Sequence, residues 1–245
     1  MVPSRLTAFV IVLSLWLCPA SAEDLTSMLS DFVSLSDRTQ RELILLKIGE
    51  RYPEAGPSLL RIATETKDTE TKWLAIRGIG YLKYKEAVPF LRESLHSSSN
   101  YVRANSARAL GEIHDTVAIP DLMQVLDVDE NSGVLEQVCL ALQMLDAKQA
   151  IPELKVRSNN PSPQTRLWMI GAIEALGSRD VVFFAGFLYD SDESVAACAA
   201  HAIERITKQD FGFPQCGRYG GPCGYGYGVE NAQRWWNSHK TDWKQ

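Results

Sequence analysis

The sequence lacks a long hydrophobic run beyond its first 22 residues, and it lacks an excess of basic residues. A membrane-spanning helix needs about 20 consecutive apolar residues, so no later segment is predicted to cross a bilayer. The 245-residue chain has a net charge of −5. Because nucleic-acid binding needs clustered Lys and Arg to displace counterions, this acidic balance predicts that nucleic acid is not a partner.

Signatures of catalytic and metal sites are also missing. The four histidines are scattered, with no H-x-x-x-H spacing, and the chain contains no G-x-S-x-G or G-x-x-x-x-G-K motif. The acidic runs Asp127–Glu130 and Asp190–Glu193 lack the central Gly and final Glu of an EF-hand loop, so we interpret them as helix caps rather than calcium ligands. We therefore predict a protein that is not an enzyme and that has no catalytic residue, metal or cofactor.

The first 22 residues have the features of a secretory signal peptide. Arg5 supplies the positive start, Leu6–Leu17 is apolar, and Ala20-Ser21-Ala22 offers the small residues that a signal peptidase reads. The alternative is an uncleaved membrane anchor. We predict an exported protein, periplasmic or secreted, with no membrane span after cleavage.

What the chain does contain is a pattern that recurs about every 31 residues. Apolar residues fall at i, i+4, i+7, i+8 and i+11 of each unit, which is one face of an α-helix. One column of the pattern is small and its neighbour is large and aliphatic: Gly78, Ala109, Ala141, Ala172 and Ala202 beside Ile79, Leu110, Leu142, Ile173 and Ile203. A shorter second helix follows in each unit. The pattern predicts an all-α fold, a right-handed α-solenoid of about six helix pairs with a C-terminal cap.

One unit, Tyr101–Leu126, resembles a HEAT-like repeat of the phycobilisome-lyase subgroup. The resemblance rests on Val102-Arg103, Ala109-Leu110-Gly111 and Ala118-Ile119-Pro120 and extends over about Ser36 to Thr207. It implies the fold but no active site, because such repeats occur mostly in scaffolds and binding proteins and share no catalytic motif.

The departures from the repeat divide the chain into four segments. We predict a signal peptide (1–22), an N-terminal capping segment (23–35), a HEAT-like repeat array (36–208) and a Gly/Tyr-rich disulfide loop with a Trp-rich capping helix (209–245). The similarity to other repeat arrays implies that an Asp-Phe-Gly loop and a Trp-Trp helix close the C-terminal end.

The Gly-rich loop is the first candidate binding site. Tyr219, Tyr225 and Tyr227 alternate with glycines around Cys216 and Cys223, which we expect to form a disulfide in an oxidising compartment. Exposed tyrosines would stack on a sugar, a peptide or a partner surface. The alternative, which we favour, is a loop whose aromatic rings only cap the core.

The second candidate is the second helix of the fifth unit, predicted over Val181–Tyr189. It is apolar on every face and carries Phe183, Phe184, Phe187 and Tyr189. A helix of this kind is either covered or a partner-binding surface. We favour coverage by the C-terminal tail and keep a hydrophobic partner site as the alternative.

Basic residues supply the remaining candidates. One column of the first helices contains Arg41, Lys72, Arg103 and Arg166. In similar repeats this residue pairs with acids of the adjacent unit; the alternative is a stripe that binds an anionic ligand. Arg92 and Lys155, on second helices, are predicted to be exposed on a concave face lined by those helices.

Together these observations predict a non-catalytic exported HEAT-repeat scaffold. It would bind a partner protein through its concave surface and its aromatic C-terminal region. Two alternatives stay open. One is a carbohydrate- or cell-wall-binding module with a glycan as partner, and the other is a lyase-like enzyme accessory, which the name of the repeat subgroup suggests.

Overall fold

The computed structural model describes residues 22–213 and 226–243, and within these ranges the chain forms helices and turns without strands. No helix in the described ranges is long and apolar enough to cross a bilayer. The chain divides into two compact units, residues 1–87 and 88–245, and each is described by itself. The predicted signal peptide and its export function concern residues that lie almost entirely outside the described ranges, and both stay predictions.

The first unit contains four α-helices: α1 (Ala22–Ser34), α2 (Arg38–Arg51), α3 (Gly56–Glu65) and α4 (Thr69–Tyr81). Helix α1 spans nearly all of the predicted N-terminal capping segment, 23–35. It packs Leu25, Met28 and Leu29 against a buried cluster that includes Ile48 and Tyr52. The first unit is therefore closed by its own N-terminal helix, as a terminal repeat requires.

The second unit contains the helices α5 (Val88–Ser94), α6 (Asn100–Ile113), α7 (Ile119–Val128), α8 (Ser132–Met144), α9 (Ile151–Arg157), α10 (Pro163–Ala175), α11 (Val181–Ala185), α12 (Glu193–Thr207) and α13 (Gly226–His239). The first helices of successive repeats are α6, α8, α10 and α12. The second helices are α5, α7, α9 and α11. The predicted fold is confirmed, since these pairs stack as an α-solenoid of HEAT-like repeats.

The small column lets neighbouring first helices approach closely. Ala109, Ala141, Ala172 and Ala202 are fully buried. A Cβ atom added to Gly111 of α6 would lie 2.8 Å from the Cα of Ala141 on α8, so the two backbones nearly touch at this point. The N-termini of α8 and α12 are capped by Asn131 and Asp192, whose side chains accept hydrogen bonds from backbone N–H groups.

Two C-terminal elements differ in length from their predictions. The predicted helix over Val181–Tyr189 ends at Ala185, and turns continue to Tyr189, because i→i+3 hydrogen bonds tighten the chain from Gly186 onward. The Trp-rich helix, predicted from Glu230 to about Ser238, spans Gly226–His239.

Candidate binding face on the first helices

The two basic residues predicted to be exposed on second helices are engaged in ion pairs. The Nε of Arg92 on α5 lies 2.5 Å from the Oδ2 of Asp121 on α7. The Nζ of Lys155 on α9 lies 2.6 Å from the Oδ2 of Asp180 and 5.1 Å from the centre of the Phe183 ring. Both side chains stay partly exposed, at 39% for Arg92 and 28% for Lys155, and their role in binding stays a prediction. Each side chain meets an acid of the next repeat, because equivalent second helices pack side by side.

The basic column of the first helices is structural where acids face it. Arg103 donates from Nε to Asp129 over 2.6 Å, and Arg166 donates from Nε to Asp190 over 2.8 Å. The hydrogen bond from Arg166 holds the pKa of Asp190 below its usual value. Both arginines also donate from Nη1 to backbone carbonyls, over 2.9 Å to Ser97 and over 3.0 Å to Asn160. The pairing interpretation of Arg103 and Arg166 is confirmed, and neither is left to bind an anionic ligand.

The aromatic segment after Asp180 is largely covered. Phe184 is fully buried and Phe187 nearly so, whereas Tyr189 is 58% exposed. The Nε2 of Gln233 on α13 donates to the Leu188 carbonyl over 2.7 Å, and the Nδ2 of Asn237 donates to the Tyr189 hydroxyl over 3.0 Å. Phe184 and Phe187 are therefore not available as surface-binding residues, whereas the contacts from α13 reach Leu188 and Tyr189.

Helix α13 is held in place by the segment that precedes the Gly-rich loop. The Phe213 ring stacks on the His201 ring, with the ring centres 3.9 Å apart. A Cβ atom at Gly228 would come within 2.4 Å of the Phe213 ring, so glycine is needed for this contact. The Nδ2 of Asn231 donates to the Phe211 carbonyl over 2.8 Å. These contacts support the capping interpretation of the Asp-Phe-Gly segment and the Trp-rich helix.

The remaining residues of the Gly-rich loop lie outside the described residues. These are Cys216, Cys223, Tyr219 and Tyr225, and the side chain of Tyr227 is not described either. The disulfide and the glycan- or partner-binding role of the tyrosines stay predictions.

A group of partly exposed polar side chains lies on the first helices α6, α8 and α10. We name it the first-helix cluster: Arg108, Glu112, Glu136, Gln137 and Trp168. All five side chains are partly exposed. The Nε of Arg108 donates to the Oε1 of Glu112 over 2.8 Å, and the Nε2 of Gln137 lies 3.4 Å from the Oε1 of Glu136.

The electrostatic environment of this cluster is unusual. Desolvation raises the pKa of Glu136, and the nearby positive charge of Arg108 only partly opposes this effect. One guanidinium thus faces two carboxylates, which leaves the cluster with an excess negative charge when both are ionised.

Several polar atoms of the cluster have no hydrogen-bond partner. Glu112 Oε2, Gln137 Oε1 and Trp168 Nε1 are buried and unpaired, and they are three of the five such side-chain atoms found in the described residues. Leaving a buried polar group unpaired costs about 1–3 kcal/mol, so each of these atoms is a candidate for a contact with a further polar group. The cluster offers two unsatisfied acceptors and one unsatisfied donor.

The two cysteines of the first helices are not reactive thiols. Burial raises the pKa of Cys139 to about 12, and the negative charge of Glu136 adds to the effect. Burial also raises the pKa of Cys198 to about 12, with a smaller contribution from Glu174. A thiolate is the nucleophilic form, so neither side chain is a nucleophile near neutral pH. Within residues 22–213 and 226–243, no group of three His, Cys, Asp or Glu side chains is arranged to hold a metal ion.

The first-helix cluster was not predicted from the sequence, because the candidate binding residues of the repeats were placed on the second helices. The available signal was the spacing of Gln137 and Trp168, which occupy the same position in successive repeats, three residues after Val134 and Thr165. This position lies at the edge of the core face of each first helix.

Comparison with known proteins places this architecture in a family. The HEAT-repeat family matches residues 56–143 and 95–160. The bilin biosynthesis protein PecE from Mastigocladus laminosus is 29% identical over 170 residues, which are 64% of this chain, and the match spans 61% of the length of PecE. The complex of CpcE and CpcF of phycocyanin lyase from Nostoc sp. PCC7120 contains a chain with the same fold. The match has a TM-score of 0.53 and 22% identity, and it covers 78% of this chain and 79% of that chain.

These relatives overturn the functional prediction. One is a bilin biosynthesis protein and the other is a component of a phycocyanin lyase, so the prediction of an exported scaffold was wrong. The alternative of a lyase-like accessory agrees with both relatives. The repeat pattern, the stacked helix pairs and the matched segments lead to the same assignment: this chain is a HEAT-repeat protein.

Proposed function

We propose that this protein is an accessory subunit of a lyase-type assembly that handles a bilin, an open-chain tetrapyrrole. The observation that carries the proposal is the 29% identity over 170 residues to a bilin biosynthesis protein. The first-helix cluster supports it, because three of its buried polar atoms have no hydrogen-bond partner within the described residues.

In this proposal the chain binds and positions the bilin and does not itself form a bond to it. Of the described thiols, Cys139 is buried and Cys198 is half-buried, and desolvation raises the pKa of each to about 12, so they do not attack the chromophore. A second protein would supply the reacting group. The complex of CpcE and CpcF supports a two-protein arrangement, since it contains two proteins of one lyase.

The proposal is tested by titrating the purified chain, without residues 1–22, with biliverdin IXα. Visible absorption and circular dichroism report binding, because a flexible bilin becomes optically active when a chiral site holds it in one conformation. We expect a saturable induced signal with a micromolar dissociation constant, and we expect the chain unfolded in urea to give none. A folded chain that gives no saturable signal would contradict the proposed function.

A further inference from the structure

We propose that a cavity between the C-terminal ends of α5 and α7 receives a basic side chain, Arg or Lys, of a partner protein. The cavity has a volume of about 330 Å³, and we name it the α5–α7 cavity. This inference rests on the proposed function only for the existence of a second protein. It adds the place and the chemistry of one contact with that protein.

The α5–α7 cavity combines apolar and charged walls. Its apolar wall consists of Leu95, Val125 and Val128. Its polar wall consists of His96, Arg103, Asp129 and Glu130. Leu95 and Val125 are buried, whereas Val128 is 68% exposed, so part of the apolar wall is open to solvent. The aliphatic stem of an Arg or Lys side chain packs on such a surface while its charged end stays in a polar environment.

The arginine in the wall is already fully engaged. Arg103 donates from Nε over 2.6 Å and from Nη2 over 3.2 Å to the two carboxylate oxygens of Asp129. Its Nη1 donates to the carbonyls of Ser97 and Ser98, over 2.9 Å and 3.2 Å. The charges of Arg103 and Asp129 therefore balance each other, and an anionic ligand would have to break these hydrogen bonds to bind here.

Glu130 supplies the charge that selects a cation. Its side chain is exposed, and within the described residues its carboxylate has no hydrogen bond or ion pair. Because the Arg103–Asp129 pair is neutral as a whole, Glu130 is the one uncompensated charge in the wall of the cavity when His96 is neutral. An uncompensated carboxylate beside an open apolar wall attracts a group that is both cationic and aliphatic, which is the chemistry of Arg and Lys.

Neighbouring residues hold the polar wall in place before any partner binds. The Nη2 of Arg157 on α9 donates to the Asp129 carbonyl over 2.7 Å. The backbone N–H of Asn131 donates to the Oδ1 of Asp129 over 2.9 Å. With the Arg103 contacts, Asp129 is fixed by three residues, so a side chain that enters the cavity needs little rearrangement of this wall.

The size of the cavity suits a side chain better than a whole tetrapyrrole. Pockets that bury small molecules have volumes of about 300–1,000 Å³, and the α5–α7 cavity lies near the lower limit of this range. A single side chain fits this space, whereas a chain of four linked rings would extend beyond it. The proposed bilin binding and the partner contact can therefore be tested with different ligands.

The test titrates the full chain with the capped peptide Ac-Ala-Arg-Ala-NH2. Methyl NMR spectra of isotope-labelled protein follow Leu95, Val125 and Val128, which form the apolar wall. The matched peptide has citrulline in place of arginine, which keeps the shape of the side chain and removes its charge. We expect saturable shifts of these methyl resonances with a dissociation constant of about 1–10 mM, and we expect the citrulline peptide to bind at least about 3-fold more weakly.

A matched pair of variants assigns the effect to one carboxylate. Glu130→Gln removes the uncompensated charge and keeps the shape of the side chain. Glu193→Gln makes the same change at an exposed acid at the start of α12, outside the wall of the cavity. We expect Glu130→Gln to bind the arginine peptide about 3-fold more weakly, and Glu193→Gln to bind it within about 1.5-fold of the wild type. Thermal unfolding by circular dichroism checks that both variants fold.

The outcomes separate this inference from the proposed function. Equal affinities for the two peptides, equal affinities of the two variants for the arginine peptide, or an absence of shifts at the three methyl-bearing residues would each overturn the inference, and the proposed function would stand. If the peptide results are as expected but the chain gives no saturable signal with biliverdin, the proposed function fails and the site for a basic side chain remains.

Discussion

Two polar regions of the second unit are built on the same repeat but differ in how completely their polar atoms are hydrogen-bonded. At the joints between repeats, Arg103 and Arg166 meet Asp129 and Asp190 and also donate to backbone carbonyls. In the first-helix cluster, Glu112, Gln137 and Trp168 each keep a buried atom without a partner. The joints are satisfied within the fold, whereas the cluster is not.

The difference teaches where to look for function in a repeat protein. A polar group that stabilises the array finds its partner in the next repeat, as Lys155 finds Asp180. A polar group that remains unpaired after folding costs stability and contributes nothing to the array. Two substitutions test this contrast, and a third tests the close packing of the helices that carry it. They follow in order from the largest expected effect to the smallest.

Breaking a joint should destabilise the protein most. The Arg166 and Asp190 side chains are 12% and 9% exposed, so Arg166→Met leaves a largely buried carboxylate without its counter-ion. We expect the free energy of unfolding to fall by about 3–5 kcal/mol in urea denaturation. The control is Arg205→Met, which removes the pair with Glu174 but alters a side chain that is 71% exposed. Its expected cost is about 0–1 kcal/mol, and equal losses in the two variants would contradict the contrast.

Separating two first helices should have an intermediate effect. The added methyl group of Gly111→Ala meets the Cα of Ala141 at 2.8 Å, so α6 must move away from α8. We expect a loss of about 1–3 kcal/mol in thermal or urea unfolding. Gly171→Ala is the matched control in α10, where a Cβ finds no atom within 4 Å. There the gain in helix propensity should stabilise the protein by about 0.5–1 kcal/mol, and a stabilised Gly111→Ala variant would show that the helices are not in close contact.

Removing an unpaired atom should have the smallest effect. Gln137→Met deletes the buried Oε1 that has no partner, at the expense of one long contact from Nε2 to Glu136. We expect the free energy of unfolding to change by less than about 1 kcal/mol, with stabilisation the favoured sign. Urea denaturation measures the change. A loss of about 2 kcal/mol or more would mean that Gln137 is part of the structural framework.

The sequence predicted the repeats well because each repeat is a local pattern. The apolar face and the small column of α6, α8, α10 and α12 follow from helical periodicity. The resemblance to similar repeats implied the pairing of Arg103 and Arg166 with acids, and the structure contains both pairs. The predicted leading helix is present as α1, and the predicted Trp-rich helix as α13.

The candidate site was less predictable, for two physical reasons. Arg92 and Lys155 were assigned to a free surface, because the acid that meets each one depends on how neighbouring second helices align. The length of α11 was overestimated, because Phe184 and Phe187 are buried by contacts that do not require a continuous helix. Neither the acid partners of Arg92 and Lys155 nor the length of α11 follows from the periodicity of the sequence.

The sequence by itself determined that this protein is a stack of helix pairs, since a 31-residue pattern of apolar and small residues leaves few other ways to bury its surface. Only the tertiary structure decided which polar groups form hydrogen bonds within that stack and which keep an atom without a partner. Asp190 and Glu112 are both acids on a repeat unit, but Asp190 is met by both Nε and Nη2 of Arg166, whereas Glu112 shares Arg108 and keeps one oxygen unpaired. Hydrogen bonding depends on distances between side chains of different helices, and those distances exist only after the helices have packed.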